Sequence, residues 1–326
     1  MKATVVGIFG AFYKVRLENQ TNQIILAKIR GKLRLRDKKI SYFEPQERHP
    51  LTIGDIVEIY HDNEQNDKEV YISEIYPRRN SLRRSTAYQK QTLGANLDGV
   101  IIISSLDLPS FNEGLMVRIL VESVLSQIKP ILILNKMDLM HKNVEKQEQY
   151  TRPVTIMKYF KETGLNVFFE TFATGIGTEL RKSVKKGRFI AFGESGVGKS
   201  TFINQMLGTK IQAVDDQDIT VKGRHVTSNP ALYRANKNFE LIDVPGVREF
   251  GLMHRLATEI SGGFPEFKKH ECRYGNCQHL DEPDCGVKNA LHNKEYPEFR
   301  YQQYLSIMES MTETRKPRRG DFRNIK

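Results

Sequence analysis

The eight residues GESGVGKS at 193–200 fit the pattern Gly-x-x-x-x-Gly-Lys-Ser, and they stand between an apolar stretch, RFIAF, and a segment of helical character, TFINQML. A strand, a glycine-rich turn and a helix in that order place backbone N–H groups and a helix N-terminus around a phosphate. Gly193, Gly196 and Gly198 let the chain wrap closely, and Glu194, Ser195 and Val197 supply the intervening amides. Lys199 reaches the terminal phosphates, the Ser200 hydroxyl suits Mg2+, and Thr201 opens the helix. This loop commits the chain to an α/β sheet. A second motif, NKMD at 135–138, follows the apolar strand PILIL and has the Asn-Lys-x-Asp form. In the usual threading that motif comes far downstream of the phosphate loop. Here it comes first.

The residue types explain what the second motif reads. The Asp138 carboxylate accepts two hydrogen bonds, from N1–H and the 2-amino group of guanine, and adenine offers neither donor. Asn135 is placed to brace neighbouring loops, and the Lys136 stem, followed by Met137, to cover the base face. After the strand NVFFE, the stretch TFATGIG at 171–177 offers the backbone N–H of Phe172 to the base. DVPG at 243–246 has the Asp-x-x-Gly form, in which Asp243 holds Mg2+ through water and the Gly246 N–H senses a γ-phosphate. Between the phosphate loop and DVPG lies GRHVTS at 223–228, where Thr227, or Ser228 as the alternative, supplies a Mg2+ ligand. Each loop follows a strand, and ligands bind at the carboxyl edge of a parallel sheet whatever order the chain visits it. A domain with neighbouring termini can be reopened elsewhere without moving its site. The order of base loop, phosphate loop, switch I and switch II is that of a circularly permuted GTPase.

The 326 residues exceed one ordinary core and imply several domains. Residues 1–77 read as five short strands, ATVVGIF, FYKVRL, QIILAKI, DIVEIY and EVYISEIY, which suits a small OB-fold barrel. Residues 78–96 read as a basic linker without periodicity. Residues 97–262 alternate buried strands with helices, the pattern of a mostly parallel sheet. Residues 263–326 read as an irregular segment ending in a helix that lines Tyr301, Tyr304, Leu305, Met308 and Met311 along one face. No apolar run is long enough for a bilayer, which points to a cytoplasmic chain.

The formal net charge is +11, and residues 1–90 carry 17 basic against 11 acidic side chains. KIRGKLRLRDKK at 28–39 and the tail RKPRRGDFRNIK concentrate the excess, and basic ends around a near-neutral middle suit a polyanion such as RNA. All three cysteines fall in CRYGNCQHLDEPDC, where Cys272, Cys277, His279 and Cys285 have the ligand set of a closed, structural zinc site.

Permuted motifs behind a basic barrel, with GESGVGKS, DVPGVREFGL and the C-x4-C-x-H-x5-C spacing, resemble the ribosome small subunit-dependent GTPase A family. The resemblance covers nearly the whole chain. It implies an α/β protein with an N-terminal OB-fold, a circularly permuted P-loop GTPase domain and a C-terminal helical zinc-binding domain. It also implies a GTPase that assists late maturation of the 30S subunit, binds 16S rRNA and is stimulated by the subunit. A monomer without a membrane partner is expected, with one structural zinc and with Mg2+ bound alongside GTP. Two positions depart from the family pattern: HVTS replaces a run of threonines, and Thr171-Phe172 replaces Ser-Ala. Val247 follows Asp-x-x-Gly where Ras-like proteins carry a water-orienting Gln, so His225 becomes the candidate for that role beside Lys199 and Thr227. The rival reading is a nucleotide-switched RNA-binding assembly factor in which hydrolysis is incidental.

Overall fold

The computed structural model describes residues 1–18, 23–29, 46–47, 50–61, 69–85, 89–208, 230–236 and 238–313. Strands β1 (Lys2–Phe9), β2 (Phe12–Leu17) and β3 (Ile24–Ile29) are followed by a two-residue strand, β4 (Gln46–Glu47), and by β5 (Ile56–His61) and β6 (Val70–Ile75). Five of them close into a barrel in the order β1-β2-β3-β6-β5. Closure follows from period-two alternation, which turns Ala3, Val5, Tyr13, Val15, Ala27, Val57, Ile59, Val70 and Ile72 into one interior. Of the basic stretch 28–39, Lys28 and Ile29 end β3, and residues 30–39 lie outside the described residues, as does the basic tail from residue 314.

The segment expected to be a linker is a hairpin. Strands β7 (Ser81–Ser85) and β8 (Gln89–Ala95) pair antiparallel, and β4 adds to β8. Leu82, Leu93 and Ala95 are buried, Arg83 and Arg84 are half-buried, and Gln89 and Gln91 face outward. A register shift between Leu82 and Arg83 breaks the alternation, which is why no period shows in the sequence.

The central sheet has six strands: β9 (Gly99–Ser105), β10 (Lys129–Asn135), β11 (Asn166–Phe169), β12 (Gly187–Phe192), β13 (Ala231–Asn236) and β14 (Phe239–Asp243). Their order is β11-β10-β9-β12-β14-β13, parallel except at β13. Alternate residues serve opposite faces. Val100, Ile102, Leu132, Leu134, Ile190 and Phe192 pack toward the helices Glu113–Leu125 and Gln147–Glu162. Ile101, Ile103, Ile131, Ile133, Phe189 and Ala191 pack toward Thr178–Ser183 and Lys199–Leu207.

Among the described residues the C-terminal segment has no separate core. Tyr301, Tyr304, Met308 and Met311 of the helix Glu298–Glu313 join Phe264, Phe267, Val121 and Ile156 in the same apolar cluster as the first face of the sheet. The barrel is tied on by charge: Glu240 of β14 accepts from Arg16 of β2 and from Arg188 of β12, the latter at 2.8 Å, and Arg188 also donates to the Gly54 carbonyl at 2.7 Å. Among the described residues no helix is long and apolar enough to cross a membrane.

Candidate functional site

From β9 the chain moves outward to β10 and β11, then returns to β12 on the other side of β9. That reversal opens a crevice at the carboxyl ends of β9 and β12, the place where open α/β sheets bind ligands. The phosphate loop follows β12, the Asn-Lys-x-Asp loop follows β10, TFATGIG follows β11 and DVPG follows β14. Four loops distant in sequence thus share one edge.

Two glycines are demanded by crowding in the phosphate loop. Gly198 has φ +101°, and a Cβ there would lie 2.4 Å from Asn135 Nδ2. A Cβ on Gly193 would lie 2.6 Å from the Val197 side chain. Asn135, 3% exposed, is the keystone. Its Nδ2 donates to the Val197 carbonyl at 2.8 Å, and its Oδ1 accepts the Phe172 N–H at 2.9 Å. The base loop and the phosphate loop are therefore locked together through one amide.

This lock corrects one expectation. The Phe172 N–H is spent on Asn135 and its ring is buried, tilted against Phe202, so it does not face a base. The next residue, Ala173, is exposed, and among the described residues its N–H has no acceptor. An exposed amide not bonded within the loop thus lies one residue further along than expected.

The charged groups are parked on one another. Lys199 donates to the Asp243 carboxylate, which lies beside the phosphate loop. Asp138 accepts from Lys142 Nζ at 2.8 Å, its side chain retains 29% exposure, and its N–H is held by Thr171 Oγ1 at 3.2 Å. Lys136, at φ +64°, donates to the Leu108 carbonyl, and Met137 N–H bonds the Glu170 carbonyl at 3.1 Å. Ser200 and Thr201 are exposed at the helix start, with Ser195 and Gly196 exposed before them. A Cβ on Gly246 would lie 3.6 Å from the Ser195 N, so switch II abuts the phosphate loop. Val247 is buried. His225, Thr227 and Ser228 lie outside the described residues.

One wall was missed by sequence reasoning. The loop after β9, LDLPSFN, borders the phosphate loop: Asn112 Nδ2 donates to Glu194 Oε1 at 2.9 Å while its Oδ1 caps the following helix at Leu115 N, 3.0 Å. A signal existed. GVIIISS is a buried strand, and its following loop shares the edge with the others.

At the other end of the chain the Cys272, Cys277 and Cys285 sulfurs lie 3.4, 3.5 and 3.4 Å from His279 Nδ1, and the Cys272 and Cys285 sulfurs are 3.8 Å apart. A cation ~2.3 Å from each sulfur and ~2.0 Å from an imidazole sets tetrahedral edges of roughly 3.5–3.8 Å, so the four groups fit one metal ion. Burial resists ionisation of Cys272, but the N–H groups of Val287 and Gly286, at the start of the helix Gly286–His292, outweigh it and bring the thiol down. Burial pushes the Cys277 thiol up to about 12, so its thiolate needs a cation. Tyr301 Oη donates to the His279 carbonyl at 2.6 Å, so the long C-terminal helix supports the ligand loop directly.

A model of the RsgA GTPase family matches residues 75–253. The chain belongs to that family. Two curated relatives carry the name small ribosomal subunit biogenesis GTPase RsgA. The one from Haemophilus influenzae is 33% identical over 82% of this chain and 78% of its own length. The one from Flavobacterium psychrophilum is 30% identical over 94% and 91%. Among solved structures, YjeQ from Thermotoga maritima superposes with a TM-score of 0.70 at 26% identity, covering 95% of this chain and 98% of that one. YloQ, described as a circularly permuted GTPase, gives 0.67 at 24% identity over 97% and 96%, a likeness of fold. The RsgA-type order explains why NKMD precedes GESGVGKS: the sheet is the ordinary one, cut open elsewhere.

Proposed function

We propose that this RsgA-family chain hydrolyses GTP to GDP and phosphate while assisting late maturation of the small ribosomal subunit. In this reading it is a cytoplasmic monomer that binds 16S rRNA on the 30S particle, which stimulates its turnover. The observation that carries the nucleotide assignment is Asn135, whose single amide joins a guanine-type loop to a phosphate-type loop on one sheet edge. Asp138 reads guanine after releasing Lys142, and Lys136 covers the base. Lys199 leaves Asp243 for the β- and γ-phosphates, while Asp243 and Ser200 take up Mg2+ with Thr227. The backbone of 193–201 holds the phosphates, the Gly246 N–H senses the γ-phosphate, and the Ala173 N–H takes the base contact first given to Phe172. When bound, Mg2+ neutralises charge on the transferring phosphoryl group.

The Cys3His cluster is assigned to one structural zinc, since thiolates and an imidazole in a closed tetrahedron leave no position for substrate. The functional division follows 1–77 as RNA-binding barrel, 97–262 as GTPase and 263–326 as zinc-binding segment, with the 78–96 hairpin between the first two. A binding module with incidental hydrolysis is favoured by one observation: Val247 is turned into the core, 2% exposed, and orients no water. His225 is assigned that duty in the catalytic reading. Single-turnover hydrolysis with and without 30S subunits separates the two. Stimulation by the particle, cut ~10²-fold by His225→Ala with GTP affinity intact, supports catalysis. Equal rates with and without the particle support the binding module.

A further inference from the structure

The loop after β9 carries the most exposed large apolar side chain among the described residues, Leu108, which is 74% exposed. The backbone beneath it is firmly held. Buried Asp107 accepts the Leu108 N–H at 2.9 Å, Lys146 Nζ at 2.7 Å and Tyr150 Oη at 3.2 Å. Ser105 Oγ donates to the Pro109 carbonyl at 2.7 Å, and Asn112 ties the far end of the loop to Glu194. Leu108 itself has φ +52°, in the left-handed region that leucine seldom enters. Non-glycine residues kept there by their surroundings gather at ligand sites.

Two neighbours say what Leu108 borders. Its carbonyl accepts from Lys136, the residue whose stem covers the base. The same oxygen lies 3.7 Å from the place a Cβ on Gly196 would take, and Pro109 Cδ lies 3.4 Å from it. In a nucleotide the sugar joins base to phosphate. A residue that meets both the base-covering lysine and a glycine of the phosphate loop therefore stands beside the sugar. We propose that Leu108, backed by Pro109, is the ribose wall of the nucleotide site, an apolar side chain that packs on the C–H surface of the sugar. The inference rests on the reading of the cleft as a GTP site and adds a binding residue to it. Nucleotide pockets combine a few fixed polar contacts with apolar lining, and Leu108 supplies lining between the two polar ends. GTP and GDP share the same sugar, so the wall serves both equally. Adenine nucleotides share it too, so the wall leaves the choice of base to Asp138.

The test uses the full chain, titrated with GDP, with a non-hydrolysable GTP analogue and with acycloguanosine diphosphate, in which an open chain replaces the sugar ring. Leu108→Ala removes the side chain while keeping the same backbone preferences. It should weaken GDP and the GTP analogue alike by about 5- to 10-fold, mostly through faster dissociation, and Leu108→Met should restore both. The acyclic nucleotide should bind wild type and Leu108→Ala with nearly equal affinity. The preference for guanine over adenine and the melting temperature of the nucleotide-free chain should not change. Unaltered GDP affinity in Leu108→Ala overturns the wall, and if wild-type protein still prefers GTP to ATP the proposed function stands. An equal loss for the acyclic nucleotide, or a loss confined to the GTP analogue, overturns the sugar contact. So does a variant with full nucleotide affinity and weakened binding to 30S subunits, which makes Leu108 a contact for the particle. Wild-type protein that binds GTP and ATP equally breaks the reading of the cleft itself.

Discussion

The nucleotide cleft and the cysteine cluster are built on opposite plans. The cleft gathers four loops spread from residue 135 to residue 246, and its cations and anions neutralise each other, Lys199 on Asp243 and Lys142 on Asp138. The cluster draws its four ligands from residues 272–285 and already holds them within 4.8 Å of one another. A site that admits and releases its ligand needs partners that can be exchanged. A site that keeps an ion needs its ligands preset and its surroundings closed. The cleft's rigidity comes from the neutral, buried Asn135, and its ionic pairs are free to change partners.

The cluster should give the largest effect. Cys285→Ala should lower zinc affinity by roughly 10³-fold or more, because binding and local folding are one event there. Elemental analysis should find about one zinc per wild-type chain and almost none in the variant. With no tryptophan in the sequence, near-ultraviolet dichroism reads the tyrosines, and the signal of Tyr296, Tyr301 and Tyr304 should fade with the metal. Metal-free protein with an unchanged tyrosine signal would erase the contrast between the sites.

Lys199→Ala comes next, with GTP affinity falling about 10²-fold as charge-assisted phosphate contacts vanish. Zinc content should not change. A nucleotide titration with an unaltered dissociation constant would show that Lys199 belongs with Asp243 permanently. Asp138→Asn should cost about 10- to 50-fold in GTP affinity, since an amide cannot accept both guanine hydrogen bonds. Wild-type protein should prefer GTP to ATP strongly, and equal affinities would break the guanine assignment.

The smallest effect is a property of the frame around both sites. Glu122 is fully buried, held by Arg255 at 2.9 Å on both oxygens, with His254 Nε2 3.2 Å away. Burial works against its charge, yet His254 and Arg255 outweigh that and hold the carboxyl below the usual 4.5. Burial likewise opposes the Glu240 charge, and Arg188 and Arg16 hold it below 4.5. A lowered carboxyl pKa contributes stability that is present above the unfolded value and lost as pH falls through the folded one. The melting temperature should therefore hold from neutral pH to about 4.5 and drop by several degrees below it. Glu122→Gln should remove part of that acid sensitivity. A melting temperature that is flat through this range would mean that neither pair supports the fold.

Much of the architecture was legible because it is local. Period-two alternation marked the five barrel strands, apolar runs marked β9, β10 and β12, and fixed spacings marked the phosphate loop and the cysteine cluster. The 78–96 hairpin was not legible, since its register shift hides the alternation and its buried face is completed by other segments. The Phe172 amide was misjudged for a similar reason: which N–H is free depends on Asn135, 37 residues away in sequence.

By itself the sequence determined which donors, acceptors and candidate metal ligands each loop carries, because side-chain type and short spacing fix them without reference to the rest of the chain. It also determined that the GTPase motifs are permuted, because their order is a property of the chain alone. Tertiary structure decided what those groups touch. It spent the Phe172 N–H on Asn135, brought Asn112 to Glu194, merged the C-terminal helix into the core of the sheet, and aligned Phe9 and Phe12 on one open wall. The first three join residues distant in sequence, and the last follows from strand pairing across one turn. Pairing and register select such contacts through the burial and hydrogen bonding of whole elements, which no short stretch encodes.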